Sequence, residues 1–346
     1  MNRTWGLIGL DNPIHYLKNA IKTSEVFHAY IFSGPDHSGK AALAVKFAQA
    51  LNCLEENNSP CGKCEVCRRI FENIHPDIQT TKMENDKAEA RSKTGISVEQ
   101  IREINHAASL PPYESHYRLF IIEDADTMST SGANALLKTL EEPADHLVFI
   151  LITSNITGIP DTVRSRCQTL NFGSASEADI SQLLISDYDT APEQADLLSR
   201  LCEGRVGWAV TACSDDSILQ ERESDLAAFI DLLESDYKSR FDIANQLAVR
   251  MNSGRGEVYQ ILDHWVSFSR DILLCKLNIE NMFVNLTFIS KAKELAEILE
   301  LDSIRLMIQS IVKFRTYLGL NSNPKLTLEV LMLGLPFPGG FDYRHA

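Results

Sequence analysis

The 346-residue chain is short of positive charge: 33 Lys and Arg stand against 47 Asp and Glu, a formal net charge of −14. Autonomous DNA binding rests on neutralising phosphates with basic side chains, so an acidic chain is a poor free-standing DNA binder. The deficit is uneven, with a net of −4 over residues 1–173 and −10 over the rest. Any nucleic-acid role is therefore expected to be exercised within an assembly. Long apolar runs are also missing, since nothing approaches the ~20 residues a membrane span needs. Met1 to Gly6 has no signal-peptide pattern, so the expected location is cytoplasmic, with no membrane partner. In that compartment clustered cysteines read as metal ligands and not as disulfides.

A further absence lies inside a motif. Ser33 to Lys40 reads Ser-Gly-Pro-Asp-His-Ser-Gly-Lys, after the apolar run His28 to Phe32 and before a helical stretch, Ala42 to Ala48. Strand, glycine-bracketed loop, lysine and helix are the parts of a P-loop. Gly34, Ser38 and Gly39 would turn backbone N–H groups onto a phosphate, and Lys40 would reach its outer oxygens. The next position requires Ser or Thr to hold magnesium, and it is Ala41. Without that hydroxyl, ATP or ADP could still bind through the backbone and Lys40, whereas turnover is expected to be weak or absent.

A nucleotide site also needs a second strand ending in Asp then Glu. The strand Arg118 to Ile122 ends in Glu123-Asp124, the same acids in reverse order. Reversal shifts each carboxylate by about an ångström, which is costly where positioning carries the catalysis. Capping of the following helix is an equally good reading of these acids.

Four of the eight cysteines fall within fifteen residues: Cys53, Cys61, Cys64 and Cys67. Two overlapping C-x2-C steps bring three thiolates round one centre, and Cys53 can close a tetrahedron. Four thiolates suit a structural zinc with no open position for substrate. A catalytic zinc or a redox pair is the alternative.

Alternating strands and helices run to about residue 173 and specify a parallel α/β sheet. Ser97 and Gln100 form a capping box at the head of one helix. Short helices follow over 174–219, and the remainder reads as helical, including single helices over Val258–Leu277 and Met282–Leu299. Lys82 to Thr94, polar and aperiodic, reads as an exposed hairpin or loop. The expected division is 1–173, with the cysteine module at 53–67, then 174–219 and 220–346. Arg164-Ser165-Arg166-Cys167 lies at the edge of the α/β part. An arginine there could reach a neighbour's phosphate, or could simply be a solvated surface charge.

The P-loop, the cysteine cluster, His75-Pro76-Asp77, the run Asn134 to Pro143 (NALLKTLEEP) and Ser165-Arg166-Cys167 occur in that order. Together they resemble the AAA+ subunits of the bacterial DNA polymerase III clamp loader, clearly over residues 5–173 and more weakly beyond. The resemblance implies a P-loop domain with an inserted zinc module, a small helical lid and an all-α collar for oligomerisation. It implies motor (γ/τ) and delta subunits as partners, with the sliding clamp and primed DNA met through the assembly. Motor subunits carry an intact P-loop, Asp-Glu and a lid arginine. This chain has Ala41, Glu123-Asp124 and Gly207 at the aligned lid position, with Arg205 out of register. It is therefore similar to a non-motor, stator-type subunit with little or no activity alone. Arg166 would act in trans on the motor's ATP, positioned by Ser165 and Cys167. Thr153 and Asn155 would occupy the sensor region. The alternative within the family is an active motor-like ATPase.

Overall fold

A computed structural model describes residues 4–55, 60–82, 95–253, 255–279, 282–319 and 322–337. The chain forms two compact units, Met1–Cys213 and Ser214–Ala346. The expected loop at 82–94 lies, apart from Lys82, outside the described residues, as does most of the polar segment before Pro60.

The first unit runs α1 (Asp11–Thr23), β1 (Ala29–Ser33), α2 (Lys40–Asn52), α3 (Glu65–Phe71), β2 (Ile78–Thr81), α4 (Val98–Ala108), β3 (Arg118–Ile122), α5 (Thr130–Glu141), β4 (Leu147–Thr153), α6 (Asp161–Arg164), β5 (Gln168–Asn171), α7 (Glu177–Tyr188), α8 (Pro192–Leu201) and α9 (Val206–Ser214). Its strands form one parallel sheet in the order β2-β3-β4-β1-β5. Every residue of β4 is buried, as a central parallel strand covered on both faces should be.

The pleat divides the core in two. Tyr30, Phe32, Val148 and Ile150 pack with Ile14 and Leu17 of α1 and Leu43 and Phe47 of α2. Ala29, Ile31, Phe149 and Leu151 pack on the opposite face with Ile101 and Ile104 of α4 and Leu136 and Leu140 of α5. That alternation is the period of two that a strand imposes. The capping box at α4 forms as expected, with both reciprocal bonds between Ser97 and Gln100. Because β1 sits between β4 and β5, the crevice at its carboxyl end is the sheet's switch point, where open α/β sheets bind ligands.

The second unit contains α10 (Ser217–Glu234), α11 (Tyr237–Ser253), α12 (Arg255–Lys276), α13 (Ile289–Ile298), α14 (Leu301–Gly319) and α15 (Pro324–Gly334). Its core includes Phe229 stacked on Trp265 at 4.7 Å between ring centroids. One expectation fails here. Met282–Leu299 is not a single helix, because only Ile289–Ile298 is α-helical, after a 3-10 turn at Leu286–Phe288. The cause is buried Asp271, whose carboxylate accepts N–H bonds from Val284 (3.0 Å) and Asn285 (2.7 Å) and holds that segment out of a helix.

Candidate functional site

The P-loop forms between β1 and α2. Gly39, at φ 90°, supplies the left-handed turn that leads into α2, a conformation costly for any other residue. Lys40 is 6% exposed and turned inward, its Nζ donating to the carbonyls of Gly34 and Pro35 at 2.6 Å each. Burial lowers its pKa, while the carboxylates of Asp36, Asp124 and Asp126 oppose that shift. To grip a phosphate, Lys40 would have to leave both carbonyls, in a field made negative by three acids. Ala41 is exposed at the mouth and offers no oxygen. The N-terminus of α9 closes over the loop, with Gly207 N–H donating to His37 O at 2.7 Å. A Cβ at Gly207 would stand 3.0 Å from that oxygen, so a larger side chain there would press on the loop.

The paired acids differ in their partners. Glu123 pairs with Lys82 at 3.1 Å. Asp124 adopts φ 51° at the head of the next turn and lies on the Lys40 side. Thr153 donates to Asp126 at 2.6 Å and accepts from Asn155 N–H at 2.9 Å. Asn155 in turn accepts from Thr157 at 2.6 Å. The sensor-region side chains are thus bonded to one another. These residues converge on one crevice, but their bonds are mostly internal.

The cysteines form a second centre. Cys53 lies at the end of α2, Cys61 and Cys64 in the following loop and Cys67 in α3. Their four sulfurs all lie within 4.8 Å of one another, and Cys61 and Cys67 are 3.9 Å apart. A tetrahedron with Zn–S bonds of about 2.3 Å requires sulfurs about 3.8 Å apart, so the donor set fits that ion. Backbone N–H groups of Lys63 and Cys64 point at Cys61 Sγ (3.4 and 3.2 Å), and that of Cys67 points at Cys64 Sγ (3.4 Å). The bonds from Cys64 and Lys63 pull the Cys61 thiol down to about 6, toward the thiolate a metal needs. Gln49 of α2 donates to Cys67 O at 2.6 Å and ties the module to the sheet domain.

The third element is the edge after α6. Ser165 Oγ donates to Thr162 O (3.1 Å), and Arg166 Nη1 donates to the same carbonyl (2.8 Å) and approaches Ser165 Oγ (3.3 Å). Burial pushes the Cys167 thiol up to about 12, and it packs as a neutral anchor against the α4–α5 side of the core. Ser165 is thus bonded within this turn and Cys167 is packed at the core, while the Arg166 side chain is one-third exposed. Arg166 Nη2 also meets Glu141 of α5 at 2.6 Å.

Two contributors escaped the sequence reading. Glu141 was part of a recognised run without a role, although acids in the last turn of a helix oppose its dipole and call for a cation. Asp77 is the other. It is 1% exposed and accepts from the N–H groups of Tyr113, Glu114 and Ser115 at 2.6, 2.9 and 3.0 Å, clamping the loop before β3.

Sheet order, P-loop position and flanking helices define the class: a AAA+ P-loop domain bearing a four-cysteine module, followed in the chain by an all-helical unit. Residues 9–176 match the family described as "DNA polymerase III, delta subunit". The chain is 29% identical over 323 residues to DNA polymerase III subunit delta′ of Bacillus subtilis, covering 92% of this chain and 94% of that protein. It is 35% identical over 167 residues to subunit tau of the same organism, covering 48% of this chain and 28% of tau. To subunit gamma of Buchnera aphidicola it is 36% identical over 179 residues, 51% of this chain and 47% of gamma. A solved gamma-subunit-related protein of Thermotoga maritima superposes with a TM-score of 0.44 at 18% identity, covering 92% and 97% of the two chains. The chain is similar to clamp-loader subunits of DNA polymerase III, and its likeness to delta′ extends along most of its length.

Proposed function

We propose that the chain is the non-motor, stator subunit of a DNA polymerase III clamp-loader complex. It helps to load the sliding clamp on primed DNA during replication, and Arg166 reaches in trans into the ATP site of a neighbouring motor subunit. The observation that carries this reading is the contrast between two cations. Lys40 is buried on the carbonyls of its own loop, beside Ala41 where magnesium needs a hydroxyl. Arg166 stands at the domain edge with a third of its side chain exposed. In this reading the P-loop is an inherited fold element with little or no turnover, and ATP or ADP binds it weakly if at all. Zinc is the ion proposed for Cys53, Cys61, Cys64 and Cys67, where it cross-links the inserted module. Residues 174–219 serve as a lid and 220–346 as a collar that meets the motor and delta subunits. Among the described residues no helix is long and apolar enough to cross a membrane, in keeping with the proposed cytoplasmic role.

The rival is a motor-like ATPase, and one pair of variants separates the two. In a complex reconstituted with motor and delta subunits, Arg166→Ala should depress ATP hydrolysis, and Lys40→Ala should leave it unchanged. The reverse pattern, with turnover by the isolated chain lost on Lys40→Ala, would establish the motor reading instead.

A further inference from the structure

We infer that Glu141 parks Arg166. In the unassembled chain its carboxylate holds the guanidinium fork that a neighbour's phosphate would take, so delivery of the arginine is an exchange of one anion for another. The inference rests on the proposed reading of Arg166 as a residue acting in trans.

Both terminal nitrogens of Arg166 are engaged within the chain. Nη2 meets Glu141 Oε1 at 2.6 Å, while Nη1 donates to Thr162 O at 2.8 Å and touches Ser165 Oγ at 3.3 Å. These are the groups with which arginine grips a phosphate bidentately. Asp161, the nearby acid on α6, is bonded to Arg164 and so leaves Arg166 to Glu141.

The two platforms that carry the pair are fixed. Leu136 and Leu140 anchor α5 in the core. Asn105 of α4 donates to Ala135 O at 2.7 Å and accepts from Thr139 at 2.9 Å. Val163, 1% exposed, anchors α6. Glu141 ends α5, where the helix dipole disfavours a carboxylate and a cation relieves it. The fit is therefore between two rigid edges and does not depend on a wandering side chain.

The contact is also exchangeable. Glu141 is 52% exposed and Arg166 35%, and exposed ion pairs hold their partners by factors of only about 1.5 to 5. A phosphate carries more charge than a carboxylate and presents more oxygens, so it can displace Glu141 where a solvated surface acid could not. Glu141 is thus a positioning residue that withholds Arg166 until a nucleotide-loaded neighbour arrives.

The test is Glu141→Gln, which keeps the shape and removes the charge. In the reconstituted complex the ATP concentration for half-maximal hydrolysis should fall about 1.5- to 5-fold with kcat unchanged, and this shift should vanish in an Arg166→Ala background. An unchanged or raised half-saturation, or an equal shift in the Arg166→Ala background, overturns the inference. A second readout uses the isolated full-length chain and an arginine-specific dicarbonyl, with modification of Arg166 followed by peptide mass spectrometry. Glu141→Gln should speed that modification by a similar factor. Equal rates overturn parking whatever Arg166 does in the assembly. Unaltered hydrolysis by Arg166→Ala alone overturns the action in trans instead, so the two failures are told apart.

Discussion

Arg240 is the sharpest test of how the helical unit is held. Its side chain is fully buried, and among the described residues it forms no ion pair. Nε donates to Leu232 O (3.2 Å), Nη1 to Met332 O (3.4 Å) and Leu335 O (2.9 Å), and Nη2 to Leu233 O and Pro336 O (both 2.9 Å). The guanidinium also lies 3.8 Å from the Phe337 ring centroid. It thereby caps the ends of α10 and α15, where orphan carbonyls and two helix dipoles favour a cation. Burial lowers its pKa to about 10, which still leaves it charged at neutral pH. Arg240→Ala takes a donor from five carbonyls; Leu232 O keeps its bonds from the Ser235 N–H and Oγ, and each of the other four costs about 1–3 kcal/mol if unsatisfied. With water entering the cavity to satisfy most of them, about 4 kcal/mol remains, within the range for breaking a buried charged network. At an m-value of about 2 kcal/mol/M the urea midpoint should fall by about 2 M. Lysine has three donors for five acceptors and no planar fork to lay on Phe337, so Arg240→Lys should lose about half as much. Trp265 fluorescence in a Trp5→Phe, Trp208→Phe background reports this unit alone. A midpoint shift below about 0.5 M for Arg240→Ala, or a lysine variant as stable as the parent, would refute the reasoning.

Three further outcomes follow from the first unit. Metal analysis of the purified chain should return about one zinc per chain, since structural zinc is part of the folded state; Cys64→Ser or a strong chelator should lower the first unit's unfolding midpoint, and a metal-free chain of unaltered stability would exclude zinc. Asp77→Ala takes the acceptor from the part-buried N–H bonds of Tyr113, Glu114 and Ser115 and should cost about 1–3 kcal/mol by urea titration, whereas a loss below about 0.5 kcal/mol would mean that the loop at 113–115 holds itself. The pH dependence has a definite sign. Burial lowers the His75 pKa below its ordinary 6.5. Burial pushes the Asp77 carboxyl up, but three amide bonds outweigh it and hold it below its ordinary 3.8. In both cases the unfolded chain binds protons more readily, so stability should fall as pH drops below about 6.5 and again below about 3.8. An acid limb that starts only below pH 4 would remove His75 from the account.

The sheet was legible because buried parallel strands are uniformly apolar and the helices between them are amphipathic; Leu147 to Thr153 could be little else. The P-loop was legible because only glycine-bracketed backbone makes that turn, and the cysteine cluster because C-x2-C spacing leaves few other uses for four thiols. Less legible was whatever depends on a side chain choosing among partners far apart in the chain. Nothing local says that Lys40 folds back on Gly34 and Pro35, or that Glu123 pairs with Lys82. Met282–Leu299 looked helical by its apolar spacing, and a single carboxylate at Asp271 overrides that pattern. Arg240 reads as an ordinary surface charge on α11 until α15, about ninety residues later, supplies its carbonyls. Glu141 and Arg166 are 25 positions apart in sequence, and only the packing of α5 and α6 against one core brings them together.

The role proposed for Arg166 places this chain's chemistry in a neighbour's site. The most direct measurement is single-turnover ATP hydrolysis at the motor site that faces this chain, in a complex reconstituted with either parent or Arg166→Ala chain. An arginine supplied in trans stabilises charge developing on the transferred phosphoryl group, and its loss should slow that site by about a thousandfold. Steady-state turnover should fall only by that site's share, with assembly intact by sizing. A rate at the facing site unchanged by Arg166→Ala would contradict the account.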